Sequence, residues 1–348
     1  MATVGYGIIG CGNIGPVHAA AIAEVRGAKL AGVADVRLET AQKLAGQYGA
    51  DAFDDYKEML KRDDIHAISL CVPSGLRAEI AVDCAKAGKH ILSEKPLDVT
   101  TKRIDRIIKA ADDAGVNLGC IFQSRFSEGA EAIRAALDQG RFGKVVLGDA
   151  YIKWYRSQEY YDSGAWRGTW KLDGGGALMN QGIHYVDLLQ WLMGPVKSVY
   201  ARTALVAHER LEVEDLATAI IEFESGAQGV IEASTAIWPG HPARIEIHGT
   251  EGSAAMEDGK VVSWDFNKSK PADKKIEAAM AGDSALGSGA SDPLSSLKIE
   301  GHRRQIADFT KAIQKGVKPA IEGREGRLAV ALIEAIYKSA KTGKAVKL

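Results

Sequence analysis

The chain has 348 residues, which exceeds the usual size of a single hydrophobic core and favours two domains. Its 44 basic and 45 acidic residues give a formal net charge of −1, so we expect neither a nucleic-acid nor a membrane partner. No apolar run reaches the roughly 18 residues of a membrane-spanning helix. The N-terminal MATVGYGIIGCGNIG lacks the basic flank of a signal peptide. A cytoplasmic protein is therefore expected.

The first 122 residues alternate between short strand-like runs and helical stretches. Helices are predicted over 13–25, 37–48, 75–88 and 100–114. Between them lie TVGYGIIG, AKLAGVAD, DIHAISLCV and KHILSE, and NLGCIF follows the last helix. Such alternation indicates βαβ units and an α/β, doubly wound parallel sheet. The four cysteines have neither CxxC nor zinc spacing, so we expect reduced thiols and no metal; they are Cys11, Cys71, Cys84 and Cys120.

Residues 123–348 have a different texture, because strand-like runs follow one another from about residue 144 without intervening helices. FESGAQG and IHGTEGSA predict hairpin turns, so the second domain should be α+β with a mostly antiparallel sheet. The apolar stretch 174–193 predicts a buried helix on one face of that sheet. An exposed loop is expected over 281–296. Helices near 301–315 and 322–341 close the chain and can pack back on domain 1–122.

The run GIIGCGNIG places Gly10, Gly12 and Gly15 in the G-x-G-x-x-G spacing between a strand and a helix. This context predicts a dinucleotide site, in which glycine permits the tight turn, backbone approach to the pyrophosphate and close helix packing. Asp35 ends the next strand and should bind the ribose hydroxyls, which favours NAD over NADP; Arg37 could weaken that preference. The intervening turn residues Asn13 and Ile14 are further predicted cofactor contacts.

Two other strand ends should border the same cofactor, because ligands bind at the carboxyl edge of such sheets. One is LCVPS, with Cys71, Pro73 and Ser74, and the other is SEKP, with Glu94 and Lys95. A lysine there can bind a sugar hydroxyl and relay its proton, with Glu94 to orient it. The alternative is an ordinary solvated Glu–Lys pair.

Asn180, His184 and Asp187 interrupt the apolar stretch 174–193 and fall within about 60° of one another at 100° per residue. They form either part of a substrate site or a satisfied polar seam inside the core. Substrate contacts are also predicted for Gln123 and for Trp166 and Arg167 of AWRGTW. An aromatic plane suits stacking on a sugar, and arginine suits a carboxylate or phosphate. Trp166 could equally be a core residue.

GCGNIG, SEKP and GGGALMNQGIHYVD together resemble the Gfo/Idh/MocA family of oxidoreductases over essentially the whole chain. The resemblance implies a Rossmann domain followed by an α+β domain with a large, open, mostly antiparallel sheet. It also implies that Lys95 and His184 are the catalytic pair. Two positions depart from the family pattern. Asn180 stands where many members have Asp, which suits binding of a substrate hydroxyl, and Arg77 stands where many have His.

We therefore expect an NAD-dependent enzyme that transfers hydride between a sugar or nucleotide-sugar hydroxyl carbon and nicotinamide. The motifs are most similar to members acting on UDP-linked N-acetylhexosaminuronic acids, although members acting on free pyranoses look alike. A homodimer or homotetramer is expected through the open sheet face. Two alternatives stay open: an NAD-dependent glycosidase that oxidises its sugar transiently, and a non-catalytic sugar or dinucleotide sensor.

Overall fold

The structure is a computed structural model that describes residues 2–280 and 299–348. These residues form two compact units, one of 2–123, 171–174 and 299–328, the other of 124–170, 175–280 and 329–348. The first unit thus includes residues that the sequence-based division at 122 assigned to the second domain. None of the helices within the described ranges is long and apolar enough to cross a membrane. The predicted loop over 281–296 lies outside the described residues.

The first unit contains a six-stranded sheet in the order β3-β2-β1-β4-β5-β6, with every pair parallel. Its strands are β1 (Val4–Ile9), β2 (Ala28–Ala34), β3 (Asp51–Phe53), β4 (Ala67–Leu70), β5 (His90–Ser93) and β6 (Leu118–Cys120). Its helices are α1 (Gly15–Glu24), α2 (Leu38–Tyr48), α3 (Tyr56–Leu60), α4 (Arg77–Lys86), α5 (Thr101–Ala114) and α10 (Ile299–Lys315). The predicted doubly wound parallel sheet is confirmed; β3 and α3 were not predicted.

The core of this unit forms because β1 is buried along its whole length, as strands covered on both faces are. Helix α10, far away in sequence, completes that core. Ile306 and Phe309 pack in the same apolar cluster as Tyr6, whose hydroxyl shares a 2.8 Å hydrogen bond with Thr310. The same buried cluster extends to the ends of β1, β4 and β5.

The second unit contains an eight-stranded sheet in the order β13-β12-β11-β7-β10-β9-β8-β14. Its strands are β7 (Val145–Lys153), β8 (Val196–Ala204), β9 (Leu216–Phe223), β10 (Gln228–Ser234), β11 (Arg244–Gly249), β12 (Gly252–Glu257), β13 (Lys260–Phe266) and β14 (Val346–Lys347). Its α-helices are α6 (Glu128–Asp138), α7 (Gln158–Asp162), α8 (Ile183–Met193), α9 (Asp273–Met280) and part of α11 (Gly323–Thr342). All pairs are antiparallel except β10 with β7, and both predicted hairpins form.

The predicted single helix over 174–193 is wrong in its first half. Ala177–Gly182 is a π-helix, here called the π segment, and regular α-helix begins only at Ile183. In a π-helix the hydrogen bonds run from i to i+5, so the 100° spacing used to align Asn180 with His184 fails before residue 183. Short π-helical stretches occur frequently at functional sites.

Candidate functional site

The glycine loop of the first unit has the geometry that a bound pyrophosphate requires. Gly10 has φ +98°, and a Cβ there would lie 2.8 Å from the Cys71 backbone. A Cβ on Gly15 would lie 2.5 Å from the Gly10 carbonyl oxygen, so helix α1 packs directly on the strand end. A Cβ on Gly12 would meet nothing within 4 Å, which leaves the backbone there open to a ligand. Asn13 and Ile14 complete the turn into α1.

The Asp35 carboxylate is fixed beside this loop. Its Oδ2 accepts the Cys11 backbone N–H at 2.9 Å, and its Oδ1 accepts the Arg37 N–H at 3.0 Å. The Arg37 guanidinium lies 3.6 Å from the same carboxylate, but its side chain is 70% exposed. A carboxylate held at the end of β2 is what recognition of ribose hydroxyls requires.

The strand end at LCVPS is more closed than the sequence indicated. Cys71 is buried, and burial raises the pKa of its thiol well above the usual value. Pro73 precedes a short 3-10 turn that begins at the buried Ser74. Cys71 therefore supports the loop from inside the core, whereas Val72 and Pro73 are partly exposed.

The loop that carries Lys95 is held by the side chain that precedes it. Glu94 is buried, and its Oε2 accepts the Lys95 backbone N–H at 3.1 Å. The other oxygen, Oε1, accepts from His18 Nε2 at 2.9 Å and from His302 Nε2 at 3.3 Å. Burial alone would raise the pKa of Glu94, but the hydrogen bonds from the two histidines hold it well below the usual range.

Residues of these types also bind divalent cations, and the three ligand atoms lie within 4.8 Å of one another. We interpret the group as a hydrogen-bonded set, because both carboxylate oxygens already accept N–H donors and His18 Nδ1 pairs with Ser69. Two cationic side chains, Arg77 and Lys95, also act on this carboxylate, and that would oppose a metal ion.

Arg77, which departs from the family pattern, has a structural place. Its guanidinium is buried and donates to the carbonyl oxygens of Val72, Glu94 and Pro96, the second at 2.9 Å. It therefore connects the LCVPS and SEKP loops.

Burial lowers the pKa of Lys95, and Glu94 opposes that change. A lysine whose pKa is lowered is better suited to proton transfer near neutral pH.

In the second unit the π segment presents Asn180, and α8 presents His184 one residue after its start; both side chains are partly exposed. Asn180 Oδ1 accepts from Gln181 Nε2 at 2.9 Å. Gln181 also donates to the Tyr160 hydroxyl at 2.8 Å, and its Oε1 accepts from the Arg156 guanidinium at 3.0 Å. A polar network thus extends from Asn180 through Gln181 to Tyr160 and Arg156.

The Arg167 guanidinium contacts two aromatic rings. Its guanidinium carbon is 4.2 Å from the Tyr160 ring centroid and 4.5 Å from that of Trp166, and Nη1 donates to the Tyr160 hydroxyl at 2.7 Å. Asp162 of the neighbouring helix pairs with Arg210 instead. Within the described part of the chain, no carboxylate forms an ion pair with Arg167.

Asp187 is 2% exposed and forms a two-pronged ion pair with Arg125, at 2.8 and 2.6 Å. This favours the structural interpretation of Asp187 over a substrate contact.

Gln123 belongs to the first unit, and its Oε1 is buried without a hydrogen-bond partner among the described residues. Such an oxygen can accept a hydrogen bond from a ligand hydroxyl.

Several residues around these groups carried no signal in the sequence. His18 and His302 were interpreted only as helical residues, and Tyr160 and Gln181 as parts of a loop and a helix. Glu214 precedes a strand, yet its buried carboxylate accepts N–H donors from the start of the π segment. Contacts between residues far apart in sequence need the tertiary fold, so only an alignment of relatives would have indicated them.

Comparison with known proteins agrees with this geometry. Residues 4–122 match the family described as "Oxidoreductase family, NAD-binding Rossmann fold". Residues 130–255 match the "GFO/IDH/MocA C-terminal domain".

Similar proteins include nucleotide-sugar and polyol enzymes. The chain is 35% identical to the WlbA dehydrogenase from Bordetella pertussis, solved with NADH and UDP-GlcNAcA, with a TM-score of 0.91 and coverage of 100% of this chain and 98% of that one. The WlbA structure from Chromobactrium violaceum, with the same ligands, is 32% identical, with a TM-score of 0.89 and coverage of 100% and 96%. Inositol 2-dehydrogenase of Rhizobium meliloti is 30% identical over 97% of each chain.

Proposed function

The chain belongs to the Gfo/Idh/MocA family of NAD-binding oxidoreductases, and on that basis we propose that it is a dehydrogenase acting on a nucleotide-linked uronic acid sugar. The two WlbA structures, which hold UDP-GlcNAcA, support this substrate class. The observation in this chain that carries the proposal is the stacked Arg167 guanidinium, which has a fixed orientation and no carboxylate partner among the described residues.

The residues of the first unit fit NAD. The open space at Gly12 would admit the pyrophosphate, and the Asp35 carboxylate would accept the ribose hydroxyls. When bound, NAD supplies the hydride acceptor at the nicotinamide ring. Because Asp35 would face a 2′-phosphate as a like charge, binding of NAD should be favoured over NADP.

An anionic substrate explains the arginine better than a neutral polyol does. Arginine recognises carboxylate and phosphate through paired N–H donors, and a guanidinium stacked on aromatic rings loses little further side-chain freedom on binding. A neutral inositol would leave this charge without a counterion. Inositol nevertheless remains the second candidate, because of the 30% identity to inositol 2-dehydrogenase.

Within this proposal each residue has a separate task. His184 and Lys95 take up and pass on the proton of the substrate hydroxyl as the carbon is oxidised, and the lowered pKa of Lys95 suits that role. The Asn180 amide hydrogen-bonds to a substrate hydroxyl, and so does the Gln123 side chain. The Trp166 ring packs against the sugar. Arg167 binds the carboxylate or phosphate.

The test is an NADH absorbance assay with UDP-linked N-acetylglucosaminuronic acid, UDP-N-acetylglucosamine and myo-inositol. We expect net NADH with the uronate, and Arg167→Ala should raise KM for it far more than Arg210→Ala, a matched surface arginine. Turnover of inositol alone would replace the proposed substrate. Sugar release without net NADH would indicate the glycosidase alternative, and binding without either would indicate a sensor.

We also propose that the chain forms a homo-oligomer through the outward face of its second sheet. The runs DLATAIIEFE and GAQGVIEASTAI predicted apolar side chains on both faces of the sheet, but on β9 the outward face carries Thr218, Ile220 and Glu222, which is a mixed surface. Ile220 is 61% exposed, and Trp238, in edge-to-face contact with the Tyr155 ring, is 74% exposed. Light scattering should give a dimer or tetramer, and Ile220→Asp should weaken it; a 37.1 kDa monomer would contradict this.

A further inference from the structure

The backbone N–H groups at the start of the π segment donate to one buried residue, Glu214. Glu214 Oε2 accepts the Gly176 N–H at 3.0 Å, and Oε1 accepts the Leu178 N–H at 2.9 Å. The N–H between them, from Ala177, donates to the Glu214 backbone carbonyl at 3.0 Å. Three successive backbone donors that an isolated helix would leave without partners are thus all satisfied by a single residue.

Glu214 is itself held from both sides. The Tyr337 hydroxyl donates to Oε1 at 3.0 Å from helix α11. The next residue, Asp215, is fully buried and accepts the N–H groups of Val206, Ala207 and His208 at 2.8 to 3.0 Å. The backbone at residue 214 therefore cannot follow the π segment if that segment moves.

The start of the π segment packs tightly against the backbone of Glu214. A Cβ on Gly176 would lie 1.7 Å from the Glu214 carbonyl oxygen, so only glycine allows this approach. Asn180 follows four residues later and donates its backbone N–H to the Gly176 carbonyl at 3.1 Å, and α8 with His184 continues directly from the π segment. The position of Gly176 thus determines where Asn180 lies.

We propose that Glu214 is a positioning residue for the substrate site, acting through the π segment to hold Asn180 and the start of the His184 helix. The inference rests on the proposed function for its kinetic consequence. Its structural part, a carboxylate that anchors this turn, is independent of which substrate is used.

Glu214→Gln removes one acceptor and places an NH2 group against a backbone N–H, with almost no change in volume. Tyr337→Phe is the matched control, because it removes the third hydrogen bond of the same carboxylate and leaves both bonds to the turn. For Glu214→Gln we expect a higher KM and a lower kcat, with kcat/KM reduced about 10–100-fold, since small misplacements of reacting groups have effects of this size. Tyr337→Phe should stay within about 3-fold of the wild type.

Two further readouts separate positioning from loss of folded protein. Global destabilisation would lower the apparent kcat but leave KM unchanged, and the dissociation constant for NAD should be the same in all variants. Backbone amide exchange at residues 176–180 should accelerate at least about tenfold in Glu214→Gln and not in Tyr337→Phe. If Glu214→Gln does not fold, Glu214→Asp, which retracts the carboxylate by one methylene, takes its place with the same expectations.

Unchanged KM together with unchanged exchange at 176–180 would overturn the proposal. If the wild type oxidises none of the sugars tested, the proposed function fails by itself, and the exchange measurement still decides the role of Glu214.

Discussion

Arg125 and Asp187 form a buried ion pair in the second unit, with two parallel hydrogen bonds at 2.8 and 2.6 Å and side chains 8% and 2% exposed. The Arg125 guanidinium also lies over the Trp191 ring at 5.4 Å. The pair joins α8, the helix that carries His184, to the turn that precedes α6. Asp187 therefore has a structural role.

We expect Asp187→Asn to destabilise the fold without a specific effect on substrate. Removing one partner of a buried ion pair leaves an uncompensated charge and costs about 3–5 kcal/mol. Thermal unfolding should show a large fall in Tm, while KM stays at the wild-type value. A raised KM with an unchanged Tm would restore the substrate-binding interpretation of Asp187.

Cofactor preference should depend on Asp35. Dissociation constants measured by fluorescence titration should be lower for NAD than for NADP, and Asp35→Ala should narrow the difference because the repulsive carboxylate is gone. Arg37→Ala is the companion variant, and we expect it to widen the difference. Preference of the wild type for NADP would mean that Arg37 dominates.

Lys95 and His184 should behave as one unit in catalysis. Loss of a general acid–base group lowers rates about 10²–10⁴-fold, and residues that work together are non-additive. Steady-state rates for Lys95→Ala, His184→Ala and the double variant should therefore show a double variant little worse than the poorer single one. Asn180→Ala should chiefly raise KM. Near-wild-type kcat in His184→Ala, with a lower Tm, would make that histidine structural.

Glu94 should set the pH at which Lys95 acts. Its carboxylate opposes the lowering of the Lys95 pKa by burial, so Glu94→Gln should lower that pKa further. The limb of the kcat/KM profile that reports deprotonation of Lys95 should then move to lower pH. Glu79→Gln, which removes an exposed partner of Arg103, is the control and should leave the profile in place. Identical profiles for all three proteins would disprove this link.

Glu214 should make stability depend on pH. Burial raises the pKa of its carboxyl from 4.5 to about 7 in the folded state. Its contribution to stability is therefore fully present below pH 4.5 and is lost as pH rises to about 7, a change of about 3 kcal/mol. Glutamine does not ionise, so Tm of Glu214→Gln relative to wild type should rise between pH 4.5 and 8. If the difference in Tm between Glu214→Gln and the wild type is the same at every pH, the pKa of the Glu214 carboxyl is not raised by folding.

The architecture could be predicted because its signals are local. Strand-helix alternation, the glycine spacing around Gly12 and the turns at FESGAQG each depend on residues close in sequence, and the structure has the expected sheets. Lys95 and Asp35 could be proposed as site residues because a strand end places a polar residue at a known edge of the sheet.

The remainder could not be predicted because it depends on contacts over long sequence separations. Glu94 meets His302 across 208 residues, and Tyr337 meets Glu214 across 123. The π segment was missed for a different reason. Apolar periodicity assumes 3.6 residues per turn, and Ala177–Gly182 departs from that period without any glycine or proline inside Leu178–Gln181 to mark it.

The π segment also bears on how this enzyme can diverge. A π-helical turn contains one residue more than the α-helical turn over the same rise, so deleting a single codon between Ala177 and Gln181 can restore regular helix. Because the deleted residue is the one that the π turn contains in excess, the segments on both sides of it would keep nearly their present orientation relative to each other. One deletion could therefore change the side chain presented where Asn180 now lies, while His184 keeps its place.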